Sequence, residues 1–186
     1  MIESVNLNLF HLINASEQSP AWLINAARIL SEAPQFILAT LVLLFLYQNR
    51  EKAAFYLVTV TGTIVLALVI SKLTGILLPI DRPFVAGHGF QWLDHSPDPS
   101  FPSDHATLLF AVAGAALWHR DSRFLCLVAV LLGCLNGWAR ITVGIHYPMD
   151  IMGACVVGFV SGAAVFTGAK VFFSLFDVSW SISRKN

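Results

Sequence analysis

Long apolar stretches constrain this chain more than any other feature it carries. Crossing the hydrocarbon of a bilayer takes roughly 20 helical residues, and four or five stretches reach that length, near 33–48, 53–79, 103–118, 124–140 and 150–175. In lipid each must satisfy its own backbone N–H and C=O groups, so each reads as a helix. With 56% hydrophobic residues and a mean hydropathy of +0.71, the chain is too apolar to present a water-soluble surface. The expected fold class is an all-α integral membrane protein, a bundle of five to six transmembrane helices with residues 1–186 as one domain. The segment 103–118 rises only about 24 Å, so it has to start at Ser103 and use Trp118 as an interfacial anchor. Within 4–30, Ser16-Glu17-Gln18-Ser19-Pro20 interrupts any span and 20–30 is too short alone. An interfacial or re-entrant helix pair is expected there, with a sixth crossing left open.

Eleven basic and eleven acidic residues cancel, which leaves no positive field for nucleic acid. Cys126, Cys134 and Cys155 all lie in apolar segments and read as packing residues. The start, Met1-Ile2-Glu3-Ser4, lacks the basic stretch of a secretory signal, so the first inserted helix is expected to serve as its own. By span parity Arg50, Lys52, Arg120, Arg123, Arg184 and Lys185 share one side, which the positive-inside rule makes cytoplasmic. Arg28, Lys72, Arg82 and Arg140 fall opposite. On that outer face, periplasmic or extracellular, lies the one long polar loop, 80–102, and a long loop among short ones is usually functional. Its Phe84, Phe90, Trp92 and Phe101 either touch a lipid tail or anchor the loop in the interface. His88 and His95 read as solvated loop residues, His11 and His119 as interfacial ones.

Three polar clusters stand out: Asp81-Arg82-Pro83, Pro102-Ser103-Asp104-His105, and Arg140-x5-His146-x3-Asp150. Parity puts all three at the outer face. Their chemistry suits phosphoryl transfer, where catalysis is mostly positioning and charge stabilisation around an in-line displacement. Arg82 and Arg140 offer planar, permanently charged forks for phosphate oxygens. Ser103 and the free N–H groups of the helix opening there add donors at a positive helix end. His146 and Asp150 are one helical turn apart, so the carboxylate can hold Nδ1–H and leave Nε2 as the nucleophile. His105 has no carboxylate at that spacing and is the freer general acid.

In this order, the clusters resemble the type 2 phosphatidic acid phosphatase superfamily, whose pattern runs from a lysine and Arg-Pro through Pro-Ser-Gly-His to Ser-Arg-x5-His-x3-Asp. The match covers roughly residues 70–155, and Arg82-Pro83-Phe84-Val85 with Ser100-Phe101-Pro102-Ser103-Asp104-His105-Ala106 is most similar to bacterial undecaprenyl-diphosphatases of the bacitracin-resistance type. That resemblance implies metal-independent hydrolysis of undecaprenyl diphosphate on the outer leaflet of the bacterial cytoplasmic membrane, recycling the cell-wall carrier lipid, with no cofactor. It implies phosphate binding by Arg82, Ser103 and Arg140, with Asp104 and Lys72 beside them, and catalysis by His146, His105 and Asp150. The chain departs from the pattern at Asp104, which replaces glycine and needs a cationic partner such as Arg82 or a lysine, and at Ala139, which replaces serine. Lys72 lies ten residues before Arg82 in place of seven.

Other lipid phosphates, such as phosphatidylglycerophosphate, phosphatidic acid or a lipid A phosphate, are the alternative substrates. A transporter would place its site near midplane with matching broken helices in two halves, and no such symmetry is visible. A metal site at Asp94, His95, Asp98, His105, His146 and Asp150 is opposed by two arginines, which repel a cation. A non-catalytic scaffold would leave the His146–Asp150 spacing unexplained.

Overall fold

The computed structural model describes residues 2–175, whose regular secondary structure is all helical. Arg184 and Lys185, two of the basic residues on the expected cytoplasmic side, lie outside the described residues. The elements are α1 (Ile2–Ile13), α2 (Ala21–Gln48), α3 (Ala53–Leu77), α4 (Asp104–Leu117), α5 (Arg123–Thr142) and α6 (Pro148–Leu175), with a 3-10 turn at Arg120–Ser122 before α5. Helices α2, α3, α5 and α6 are long and apolar enough to cross a bilayer, and α4 is shorter. Their outward residues, among them Phe36, Leu43, Leu57, Leu73, Phe124, Leu131 and Val160, are exposed apolar side chains covering the bundle, as a lipid-facing surface requires.

The short helix is the central one. From Ala106 to Ala116 almost every α4 residue is buried, because α2, α3, α5 and α6 all pack against it. A helix apolar all round belongs in such a position, and its run of alanines lets the neighbours come close. The closest approach is to α6: a Cβ added at Gly158 would meet the backbone of Phe110 and Ala111, and one at Gly162 the backbone of Gly114. Gly158→Leu should therefore destabilise the bundle by about 1–3 kcal/mol or more, read as a lower thermal midpoint in detergent. An unchanged midpoint would reject this packing. Trp118 stacks on Phe166 at 5.4 Å, closing the end of the bundle away from the clusters.

The N-terminal expectation needs correction. Residues 20–30 are not an interfacial helix; they form the first half of α2, which runs unbroken through Pro34. Proline removes the helix bond to the carbonyl four residues back, here Leu30. Asn136 of α5 replaces it, its Nδ2 donating to Leu30 O at 3.3 Å and Ser31 O at 2.8 Å, and Arg140 donates to Ser31 O at 3.1 Å. A neighbouring helix thus satisfies the freed backbone, which is how proline is tolerated in a membrane helix. Asn136→Leu leaves Leu30 O without its side-chain donor and Ser31 O with Arg140 alone, and should cost about 1–3 kcal/mol, again read as the detergent midpoint; a neutral result would contradict the role given to Asn136. Helix α1, too short to span at about 18 Å, sits at the cluster face. There Asn14 bonds Phe90 N and O and Thr142 O, tying α1 to the long loop and to the end of α5.

Candidate active site

Five connected residues, 143–147, carry the chain from α5 into α6 and place His146. Gly144 stands at φ +81°, and the carbonyl of Phe90 occupies the space where a Cβ would project, so both conformation and crowding call for glycine. Pro148 opens α6 in the first helical position, where its missing N–H costs nothing. One turn later Asp150 Oδ2 accepts Tyr147 N–H at 2.8 Å, His146 Nδ1–H at 3.1 Å and the hydroxyl of Ser100. Three donors converging on one oxygen suit a carboxylate. With Nδ1 so engaged, Nε2 bears the lone pair, and it accepts from Arg82 NH1 at 3.1 Å.

His146 is 1% exposed. Burial, then the positive charges of Arg140 and Arg82, push its pKa well below the ordinary histidine value. An unprotonated ring is what attack on phosphorus requires. The active form should therefore persist below pH 6.5, and the acidic limb of the kcat/KM–pH profile should lie under that value; a limb at or above 6.5 would contradict the assignment.

Arg82 and Arg140 are both buried and come from opposite sides. The Arg82 fork is held by Asp98 Oδ1, 3.0 Å from NH2, and by Ile145 O, 3.0 Å from NH1. Although partial burial opposes it, the Arg82 charge holds the Asp98 carboxyl below its usual value. Arg140 NH1 is tethered to Ser31 O and to Glu32 Oε1 at 3.3 Å, while NH2 faces His95 Nε2 at 3.3 Å. Among the buried polar atoms without a protein partner are Arg140 Nε and the Oγ of Ser103, which precedes the first turn of α4 and is fully buried. Buried donors without partners are rare and mark places where a ligand is received. Ser103 N–H, in turn, donates to Asp150 O, linking the start of α4 to the start of α6.

The three clusters are thus brought together at one end of the bundle. Asp104 pairs with Lys72 at 2.6 Å and with Ser71 Oγ at 2.7 Å, so of the two cationic partners expected for it the lysine is the one present. These residues line a small cleft of about 120 Å³ with Asp98, Phe101 and Pro102; His105, Arg140 and His146 are not among its walls. His105 has no carboxylate at the spacing of Asp150 from His146, but one reaches it from a remote segment. Glu32 Oε2 lies 3.3 Å from its Nε2, arriving from α2.

A family model described as the PAP2 superfamily matches residues 56–173, more than half of the chain. The chain belongs to the PAP2 superfamily. Among its PAP2 relatives, YbjG of Escherichia coli, provisionally named an undecaprenyl-diphosphatase, is 33% identical over 163 residues, 86% of this chain and 80% of that protein. The undecaprenyl-diphosphatase BcrC of Bacillus subtilis is 35% identical over 127 residues, 68% of this chain and 64% of that one. The crystal structure of Aquifex aeolicus LpxE superposes with a TM-score of 0.71 at 22% identity, covering 88% of this chain and 95% of that one, so the fold is shared.

Four residues at this PAP2 site had been given no part in phosphate binding or catalysis. Ser100 and Asp98 come from the long loop, Glu32 from α2, and His95, read as solvated, has a side chain only 21% exposed. His95 Nδ1 lies 3.1 Å from Ser96 O, and the ring centroid is 6.4 Å from that of His146. Burial, and after it the two arginines, lower its pKa, so it faces Arg140 as a neutral acceptor. His88 is likewise bonded, to the Tyr147 hydroxyl at 2.7 Å. The loop aromatics are also partly turned inward: Phe84 and Trp92 pack on Ala27, Ala139, Val143 and Ile145. The one available sequence signal was the length of the loop itself, since a polar loop of that size must spend its donors somewhere.

Proposed function

We propose that this PAP2 lipid phosphatase hydrolyses the terminal phosphate of undecaprenyl diphosphate, giving undecaprenyl phosphate and inorganic phosphate through a phosphohistidine on His146. The observation that carries the reading is the His146 ring, its Nδ1 held by Asp150 and its Nε2 lone pair presented to Arg82, in a site where Ser103 Oγ and Arg140 Nε have no protein partner. The names of YbjG and BcrC support the choice of substrate.

In the first step the Nε2 lone pair forms a bond to the terminal phosphorus. The bridging P–O bond breaks, its electron pair stays on the lipid-linked phosphate, and His105 gives that oxygen a proton. Water then attacks the phosphohistidine phosphorus and yields a proton to His105, and the P–N electron pair returns to His146. Arg82, Arg140 and Ser103 hold the transferred group's oxygens throughout. Lys72 can join them only by exchanging Asp104 for phosphate, and Asp104 then stands at the rim of the site. Under this reading the site faces outward from the bacterial cytoplasmic membrane, as the basic residues at the opposite end favour.

Purified protein in detergent, with a chelator present, should release phosphate from undecaprenyl diphosphate. The kcat/KM should exceed that for phosphatidylglycerophosphate, phosphatidic acid or a lipid A phosphate by about tenfold or more, an energy difference of about 1.4 kcal/mol. Equal or better turnover of any of these monophosphates would reject the substrate assignment, and abolition by chelator would reject the metal-free mechanism.

A further inference from the structure

Glu32 belongs to no motif, lies in the half of α2 nearest the site, and carries a carboxylate on which two site residues converge. Oε2 is 3.3 Å from His105 Nε2 and Oε1 is 3.3 Å from Arg140 NH1. Its placement is built rather than incidental. Pro34 frees the Leu30 carbonyl, Asn136 and Arg140 dock on the carbonyls of Leu30 and Ser31, and the next side chain along α2 is thereby aimed at the start of α4. The groups facing His105 are otherwise cationic or neutral bases: Arg140 from α5, His95 from the long loop and His146 from the α5–α6 connection. Asp104, its sequence neighbour, is turned toward Lys72 and Ser71. Glu32 is therefore the one carboxylate among the described residues that is ion-paired with His105.

We propose that Glu32 is a positioning residue for the general acid, orienting the His105 imidazole and offsetting the Arg140 charge beside it so that its proton can be delivered. This rests on the reading of His105 as the acid. The Arg140 guanidinium beside the ring disfavours its cationic form, because like charges repel. One carboxylate within hydrogen-bond reach offsets that. As Glu32 also neutralises part of Arg140, the same contact keeps the NH2 side of Arg140 turned toward His95 and the site.

The test compares kcat/KM–pH profiles of wild type, Glu32→Gln and Glu32→Asp in detergent on the lipid phosphate that wild type turns over fastest. Gln is isosteric and half-exposed at this position, so the fold is retained, which the thermal midpoint checks. Glu32→Gln should move the basic limb, which reports the acid, about one pH unit lower, with KM changed less than about threefold and kcat down about tenfold or more at pH 7. Glu32→Asp should bring the limb roughly half way back. An unmoved limb overturns the proposal, and so does a loss beyond about 10⁴-fold, which exceeds what an acid supplies. If wild type itself releases no phosphate from any lipid phosphate, the phosphatase reading fails first, and that failure is distinguishable because it needs no variant.

Discussion

His146→Ala releases phosphate at least about 10³-fold more slowly than wild type, while its thermal midpoint in detergent stays within a few degrees. The two expectations separate chemistry from folding. The ring is buried, but the carboxylate it leaves behind is still bonded by Ser100 and by Tyr147 N–H, so no unpaired charge is created. Arg82 keeps Asp98 and Ile145 O. What vanishes is the lone pair that bonds phosphorus. Brief reaction with terminally labelled substrate should leave acid-labile, base-stable label on wild type and none on the variant. Retained activity would mean that water attacks directly and that His146 is only structural.

Asp150→Asn should lower kcat by about 10³–10⁴-fold with a much smaller change in KM. Asparagine keeps the size of the side chain, and its oxygen can still accept Ser100 and Tyr147 N–H. It has, however, no negative charge to stabilise the ring as positive charge develops at Nε2 during attack. In the flipped orientation the amide nitrogen takes the place of Oδ2, gives up the Tyr147 N–H bond and presents an N–H to Nδ1, which forces the proton onto Nε2 and removes the nucleophilic lone pair. Quenched-flow measurement of label on His146 should show slow formation of the covalent species. A variant retaining more than about a tenth of wild-type kcat would show that Asp150 does not orient the nucleophile.

These two residues were legible because four positions is a short reach in space as well as in sequence: His146 stands just ahead of α6 and Asp150 in its first turn. The same is true of the spans, whose apolar length is set by the bilayer and not by any neighbour. Where the reading failed, the missing information was a contact between remote segments. Residues 20–30 read as too short alone, with the next span placed near 33–48, and Ser31, Glu32 and Pro34 lie where the two in fact join. No local rule says that Asn136, more than a hundred residues on, will supply the donor that carries the helix through. His95 looked solvated because a polar loop is solvated by default. Only the packing of that loop over α1 and the α5–α6 connection, through Asn14 and Trp92, shows where it goes.

By itself the sequence determined that this is a helical membrane protein with three polar clusters at one face, because that follows from apolar span length and the cost of polar groups in lipid, and it determined the His146–Asp150 pair, because their separation in the chain is short. Only the tertiary structure decided which counter-charge belongs to which cation: Asp98 to Arg82, Lys72 to Asp104, and Glu32 to His105 and Arg140. Ion pairs of this kind join elements far apart in the chain, and direct charge attraction falls off within ångströms in space without regard to sequence. No pattern along the chain encodes them until α2 is folded against α5 and α4.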